Sequence, residues 1–268
     1  MKDKVKLIFF LCIIVSLIFG VSYGVVESKN SEIKHLELKD EFFKDYQGSF
    51  ILYDDSSDSY YIYNEEQVNE RLSPCSTFKI VNSLIGLETG VIKGKNYTYS
   101  WDGTNYPIDS WNRDHTLETA IANSVVWYYQ RLAQDIGEER MQDYLNRIEY
   151  GNKDITGGIR IFWLGSSLKI SGREQVELLK KLYHNDLPFG SENTSMVRDI
   201  LILESNDKYV FSGKTGASNN KLGWFVGALQ KGDNNYYFAT NILAQKDATG
   251  YKAKEITIDI LESLNLYN

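Results

Sequence analysis

Two cysteines and three histidines are all that the 268 residues hold of the side chains that most often bind transition metals. Cys12 falls inside an N-terminal apolar run, which leaves Cys75 alone in the remainder. Neither an intramolecular disulfide nor a cysteine-based metal cluster is therefore expected. His35, His115 and His184 lack the spacing of a metal site or of a nucleophile–base pair, and read as structural or surface residues. A hydrolase built on this chain takes its base from another side chain. Excess basic charge is missing too. The formal net charge is −7, and removal of residues 1–24, with three lysines and one aspartate, moves it to −9. Nucleic acid is excluded as an expected partner on that ground. There is no internal repeat and no low-complexity segment.

What is present is core material, with 43% hydrophobic and 13% aromatic residues. Lys2, Lys4 and Lys6 precede a charge-free run from Leu7 to Val26, the pattern of an export signal. Ser22 and Gly24 suit a signal-peptidase site, while the run is also about long enough to span a bilayer. Residues 1–24 are thus expected to be a signal peptide or a membrane anchor, with anchoring through residues 7–26. The protein is expected to be exported, either secreted or held on the outer face of the cytoplasmic membrane. Cys12 follows Phe9-Phe10-Leu11 and lacks the small residue that precedes a lipid-bearing cysteine.

Residues 25–40 read as a tether or a loosely packed first helix, with the folded domain over 41–268. Gly48–Tyr53 and Tyr60–Tyr63 flank a turn-rich Asp54–Asp58 and predict a β-hairpin. From Ser76 the apolar spacing becomes helical, with Ile80, Leu84 and Leu87 on one face and Gly90 as a cap. Helical periodicity also covers Leu117–Gln134, Glu138–Ile148, Gly172–Tyr183 and Glu192–Leu203. Tyr209–Lys214, Gly223–Gln230 and Asn235–Asn241 predict a meander, and Ala253–Leu264 a closing amphipathic helix. The fold class is α/β in the α+β sense: a mixed, mainly antiparallel sheet flanked by helices. A helical subdomain over about 91–204 is inserted between the sheet-forming ends.

Ser76-Thr77-Phe78-Lys79 fits S-x-x-K, a serine at a helix start with a lysine one turn later. The pattern recurs at Ser31/Lys34, Ser166/Lys169 and Ser218/Lys221, so alone it also reads as an N-cap serine and a surface lysine. Only the Ser76 copy opens an apolar helix, directly after Pro74 and Cys75. A lysine buried there is desolvated, which lowers its pKa toward that of a usable base. Lys214-Thr215-Gly216 ends a predicted strand, where a cation, a hydroxyl and a bare backbone can meet an anion. Ser124-Val125-Val126 falls in a helical segment, where Ser124 can relay a proton and Val126 can keep the lysine dry.

In this order these motifs resemble those of class D β-lactamases, the oxacillinase type: Ser76–Lys79, Ser124–Val126, Tyr150-Gly151-Asn152 and Lys214–Gly216. The likeness extends to Phe162-Trp163-Leu164, Ser167–Ser171 and Gly223–Gly227, and covers about residues 40–268. The resemblance implies the serine β-lactamase/penicillin-binding fold and hydrolysis of β-lactam antibiotics, giving antibiotic resistance. It makes Ser76 the nucleophile and Lys79 the general base, carboxylated on its side-chain nitrogen by CO2. Trp163 is implied as the donor that steadies the carbamate, and Ser124 as the proton carrier to the leaving nitrogen. Lys214 and Thr215 are implied to bind the substrate carboxylate, and the backbone N–H groups of Ser76 and Ala217 to form the oxyanion hole. No metal and no cofactor beyond CO2 is implied.

Two positions depart from the family pattern. Cys75 stands where alanine is common and reads as a buried, inert thiol. The stretch Gly250-Tyr251-Lys252-Ala253-Lys254-Glu255 lacks the arginine that grips the substrate carboxylate in many relatives, which leaves Lys252 as a replacement. A lysine cannot reproduce the bidentate fork of arginine. Three other functions compete. β-Lactam sensor domains share the motifs and stall after acylation, but their receptors carry several spans and an H-E-x-x-H protease, both missing here. A cell-wall transpeptidase usually has asparagine where Val126 stands. A cell-wall binding module would form no covalent adduct.

Overall fold

The computed structural model describes residues 31–38 and 41–267. The export signal or anchor expected over 1–24 and 7–26 lies outside the described residues. Among these, no helix is long and apolar enough to cross a membrane.

Strand β1 (Glu32–His35) pairs in parallel with β3 (Ser59–Tyr63), and β3 runs antiparallel to β2 (Gln47–Asp54). The expected hairpin is therefore present. Part of the expected tether is instead the edge strand β1, whose backbone groups on one side pair with β3. After β3 come helix α1 (Glu65–Asn69), a 3₁₀ turn (Cys75–Phe78) and α2 (Lys79–Glu88). Short strands β4 (Thr98–Tyr99) and β5 (His115–Thr116) form a separate ladder before α3 (Leu117–Ala122), α4 (Val126–Ile136) and α5 (Glu138–Arg147). Then follow α6 (Gly172–His184), α7 (Ser191–Ile200), β6 (Ile202–Ser205), β7 (Tyr209–Ser218), β8 (Leu222–Lys231), β9 (Asn234–Leu243) and α8 (Gly250–Ser263). The main sheet has the order β1-β3-β2-β9-β8-β7-β6.

Period-2 alternation sends apolar side chains to both faces of this sheet, so both must be covered. Phe50, Leu52, Phe225 and Phe238 pack with Ala253, Ile256 and Ile260 of α8. Ile51, Tyr53, Trp224 and Val226 face the other way, into the core shared with α2, α4 and α6. The inserted subdomain is smaller than expected from the sequence, because α6 lies directly on β2, β8 and β9. The sheet-forming end also starts earlier: β6 occupies Ile202–Ser205, where helical periodicity ran to Leu203.

The continuous helix expected over Leu117–Gln134 is broken. Ser124 takes φ 52, and α4 restarts at Val126. Trp111 fills the gap: its indole N–H donates to Asn123 O at 3.0 Å, and its own carbonyl accepts from Trp127 Nε1 at 2.9 Å. The break leaves backbone polar groups without helical partners, and the loop that carries Trp111 satisfies one of them.

Candidate active site

On β7, Tyr209 and Phe211 face α8, so strand alternation turns Ser212, Lys214 and Gly216 toward the helical side. Strand β6 pairs only as far as Ser212. From Lys214 to Ser218 the free edge of β7 lies beside the 3₁₀ turn that carries Ser76. The approach is close: a Cβ on Gly216 would lie 2.9 Å from Pro74 O and 3.3 Å from the Ser76 backbone nitrogen. Only glycine keeps that gap open.

The 3₁₀ turn presents a half-buried Ser76 after Cys75, a residue held at φ 51. Thr77 Oγ1 donates to Pro74 O at 2.8 Å and accepts from the buried Gln175 Nε2 at 2.8 Å, tying the turn to α6. Lys79, the first residue of α2, donates from Nζ to Ser76 Oγ at 2.7 Å. Its side chain is fully buried. Burial first, and the nearby Lys214 second, push the Lys79 amine well below the ordinary lysine range, while the Cys75 thiol pulls weakly the other way. A buried amine whose proton is disfavoured, in contact with a serine hydroxyl, places a potential base on a nucleophile.

Lys214 Nζ donates to Ser124 Oγ at 3.1 Å and to Thr215 O at 3.0 Å. Burial lowers its pKa to about 7. The left-handed Ser124, which looks like a helical residue in the sequence, is thus the point where α4 hands a hydroxyl to β7. Val125, not Val126, is the fully buried residue of this motif; Val126 is half-buried. Thr215 is half-buried and Ala217 exposed at the open end of β7.

Trp163 is wholly buried, 5.5 Å from the Phe78 ring and 4.9 Å from Phe162. Its Nε1 has no hydrogen-bond partner among the described residues. A buried indole donor without an acceptor is costly, and its presence points to an acceptor that the bare chain does not supply. The loop that carries it is pinned from two sides. Ser73 Oγ donates to Trp163 O at 3.0 Å and accepts from Gly165 N at 2.9 Å. Asn152 accepts from Lys169 N at 2.8 Å and donates to Ser167 O at 2.8 Å. Gly151 takes φ +51, and a Cβ there would fall 1.9 Å from Lys169 O. The Tyr150-Gly151-Asn152 motif therefore acts through this loop, with the Tyr150 ring against Phe78 at 5.5 Å.

The Lys252 amine is held on its own helix: it is exposed on α8, with Nζ on Glu255 Oε2 at 2.6 Å, although Gly250 at the start of that helix packs against Thr215 and Gly216. The S-x-x-K serines at 31, 166 and 218 precede lysines on β1, in a loop and in a turn, none of them helical. His115 bonds Thr119 Oγ1 and Ser110 O, His184 bonds Asp55, and His35 lies near Glu65. Among the described residues no group of potential ligands could hold a metal ion. Gln175 and Ser83 lie outside every motif and its flanks, while Ser73 and Tyr129 fall in stretches that resemble the family, Ser73–Lys79 and Val126–Gln130, without a role being implied for either.

The chain matches the family described as "Penicillin binding protein transpeptidase domain" over residues 22–262. It is 43% identical to the "Probable beta-lactamase YbxI" of Bacillus subtilis (strain 168), over 95% of this chain and 96% of that protein. Among solved structures, "Class D beta-lactamase BAT-2" superposes with a TM-score of 0.83 at 48% identity, covering 87% of this chain and 98% of the other. The "C-terminal domain of the Bacillus licheniformis BlaR penicillin-receptor" superposes with a TM-score of 0.84 at 39% identity, covering 89% and 98%.

A buried amine costs stability whenever the unfolded chain can hold a proton that the fold excludes. Between its depressed native pKa and the ordinary value of 10.5, stability rises with pH, because the unfolded state binds more protons. Lys79→Met keeps the volume and removes the titration. In CO2-depleted buffer it is expected to raise Tm at pH 7 by at least ~3 °C, with a gain that shrinks toward pH 10. Thermal melts at pH 6, 8 and 10 check this; a gain that does not depend on pH would mean that the amine is charged in the fold.

Proposed function

The chain belongs to the penicillin-binding protein transpeptidase family, in the group of class D β-lactamases and the sensor domains related to them, and from that premise we propose that it is a β-lactam hydrolase. The observation that carries the reading is the 2.7 Å contact between the fully buried Lys79 amine and Ser76 Oγ. Ser76 Oγ attacks the lactam carbonyl and gives its proton to the Lys79 side chain as the C–N bond of the ring opens. Ser124, held by Lys214, delivers its proton to the departing ring nitrogen and takes in return the proton that Lys79 received from Ser76, which frees the Lys79 side chain again. The carbonyl oxygen is taken up by the backbone N–H groups of Ser76 and Ala217, with Gly216 leaving room between them. Lys214 and Thr215 hold the substrate carboxylate.

Hydrolysis of the acyl-enzyme needs a base that activates water, and a carboxylated Lys79 would supply it. The residues present fit that group: a dry amine able to react with CO2 in its neutral form, and the orphaned Trp163 Nε1 as donor. With an export signal at residues 1–24, the enzyme would meet its substrates outside the cytoplasm.

A second reading is favoured by the likeness to the penicillin-receptor domain: acylation of Ser76 without release. Chromogenic cephalosporin turnover, together with intact mass after penicillin exposure, separates the two. The enzyme turns over and its adduct decays; a sensor keeps the adduct and does not turn over. Ser76→Ala is expected to lose both turnover and label, and a label that moves to Ser166 or Ser218 would overturn the assignment. Trp163→Phe keeps the packing but removes the donor, and is expected to slow deacylation by about 10²-fold while acylation persists.

For Lys214 the sign follows from its charge. Below about pH 7 it is an ammonium that attracts a carboxylate, and above it the charge is lost. KM is expected to rise as pH climbs through 7, and Lys214→Ala to flatten that rise with a smaller effect on kcat. An unchanged KM profile in the variant would remove Lys214 from substrate capture.

A further inference from the structure

The proposed function uses Ser76, Lys79, Ser124, Lys214 and Trp163 but leaves the far wall of the Lys79 chamber unassigned. That wall is Tyr129, on α4 one turn after Val126 and fully buried. Its ring centroid lies 5.4 Å from Lys79 Nζ. Its hydroxyl lies 3.0 Å from Ser83 Oγ, and Ser83 Oγ donates to Lys79 O at 2.7 Å. A serine has one proton to give, so Tyr129 is the donor of the first bond. Its carbonyl accepts from the buried Asn82 Nδ2 at 3.2 Å. Tyr129 therefore touches Lys79 at both ends, through Ser83 at its backbone and through the ring at its nitrogen, and fastens α4 to α2 as it does so.

Resting on the reading of Lys79 as the base, we propose that Tyr129 is its positioning residue: the ring face confines Nζ against Ser76 and attracts the protonated form, thereby setting the pH at which Lys79 becomes a free base. The groups that bear on Nζ are few. Lys214 on β7 and burial disfavour its charge, and the Cys75 thiol on the 3₁₀ turn favours it weakly. The Tyr129 phenol stays protonated, because burial pushes its pKa far up. A neutral ring is then the one group on α4 that favours the ammonium, through its π face. Without it Lys79 would shed its proton at lower pH but would no longer be held on Ser76.

The test reads the Lys79 proton directly. The full folded chain, carrying ¹⁵N-lysine, is titrated by NMR in CO2-depleted buffer, with the Lys79 Nζ signal assigned by its loss in Lys79→Ala. In Tyr129→Leu the midpoint is expected to move to lower pH by about half a unit or more, and Ser76 acylation by a fluorescent penicillin to slow by about tenfold or more. Tyr129→Phe, which keeps the ring, should hold the wild-type midpoint within about 0.2 units. Should the leucine variant not fold, 3,4,5-trifluorophenylalanine at position 129 weakens the π face at nearly constant shape, and is expected to shift the midpoint in the same direction. A structural role alone would lower Tm and leave the midpoint where it was. An unmoved midpoint in both the leucine and the fluorinated proteins overturns the proposal. Because the titration needs no β-lactam, a wild-type protein that is never acylated would overturn the proposed function and leave the NMR result standing.

Discussion

Everything around Ser76 follows from the burial of one amine without an acid beside it. Lys79 sits in the first turn of α2, where the helix dipole opposes a cation, and the charged side chain that acts on it most is another lysine. Lys79 is itself fully buried, with the Tyr129 ring 5.4 Å from its Nζ. Such surroundings disfavour the ammonium form. Stability is spent at this point to hold a base that histidine supplies in other hydrolases.

The cost extends beyond Lys79. Cys75 and Ser124, on either side of the chamber, both lie in the left-handed region that non-glycine residues avoid. Trp163 Nε1 is buried without a partner. Such features persist only where the surroundings over-determine them. Here the surroundings are the Ser73 and Asn152 clamps on the Trp163 loop, the Gln175–Thr77 bond under the 3₁₀ turn and the Trp111 plug in the helix break. Other left-handed residues, such as Asn64 and Asn185, cap helices elsewhere, but at Cys75 and Ser124 the strained backbone places site residues and the elements around them hold it in register.

The layers of this fold were legible from periodicity. The β2–β3 hairpin, the β7–β9 meander, α5, α6 and α8 fall where alternation or helical spacing put them. Short or edge elements were not legible: β1 and β6 carry largely exposed side chains and bury no apolar face that periodicity could mark. The break at Ser124 was hidden because its flanks keep helical periodicity while a tryptophan thirteen residues earlier supplies the missing bond. Among site residues, Ser76, Lys79, Lys214 and Gly216 converge as their motifs imply, since each motif encodes a local geometry. Lys252 does not, because its nearest anion, Glu255, is on its own helix. Gln175 acts through a tertiary contact that no local pattern records, and the family-like stretches that hold Ser73 and Tyr129 do not reveal what those side chains touch.

The central claim is that the buried Lys79 amine is neutral and open to CO2 beside an unpartnered Trp163 donor. Carbon-13 NMR of the protein in labelled bicarbonate tests it most directly. The account predicts a single carbamate carbon signal at neutral pH that is missing in Lys79→Ala, fades on acidification as the amine takes a proton, and returns when the pH is restored. A protein that hydrolyses β-lactams at full rate with no such signal, and with no response to bicarbonate, would contradict it.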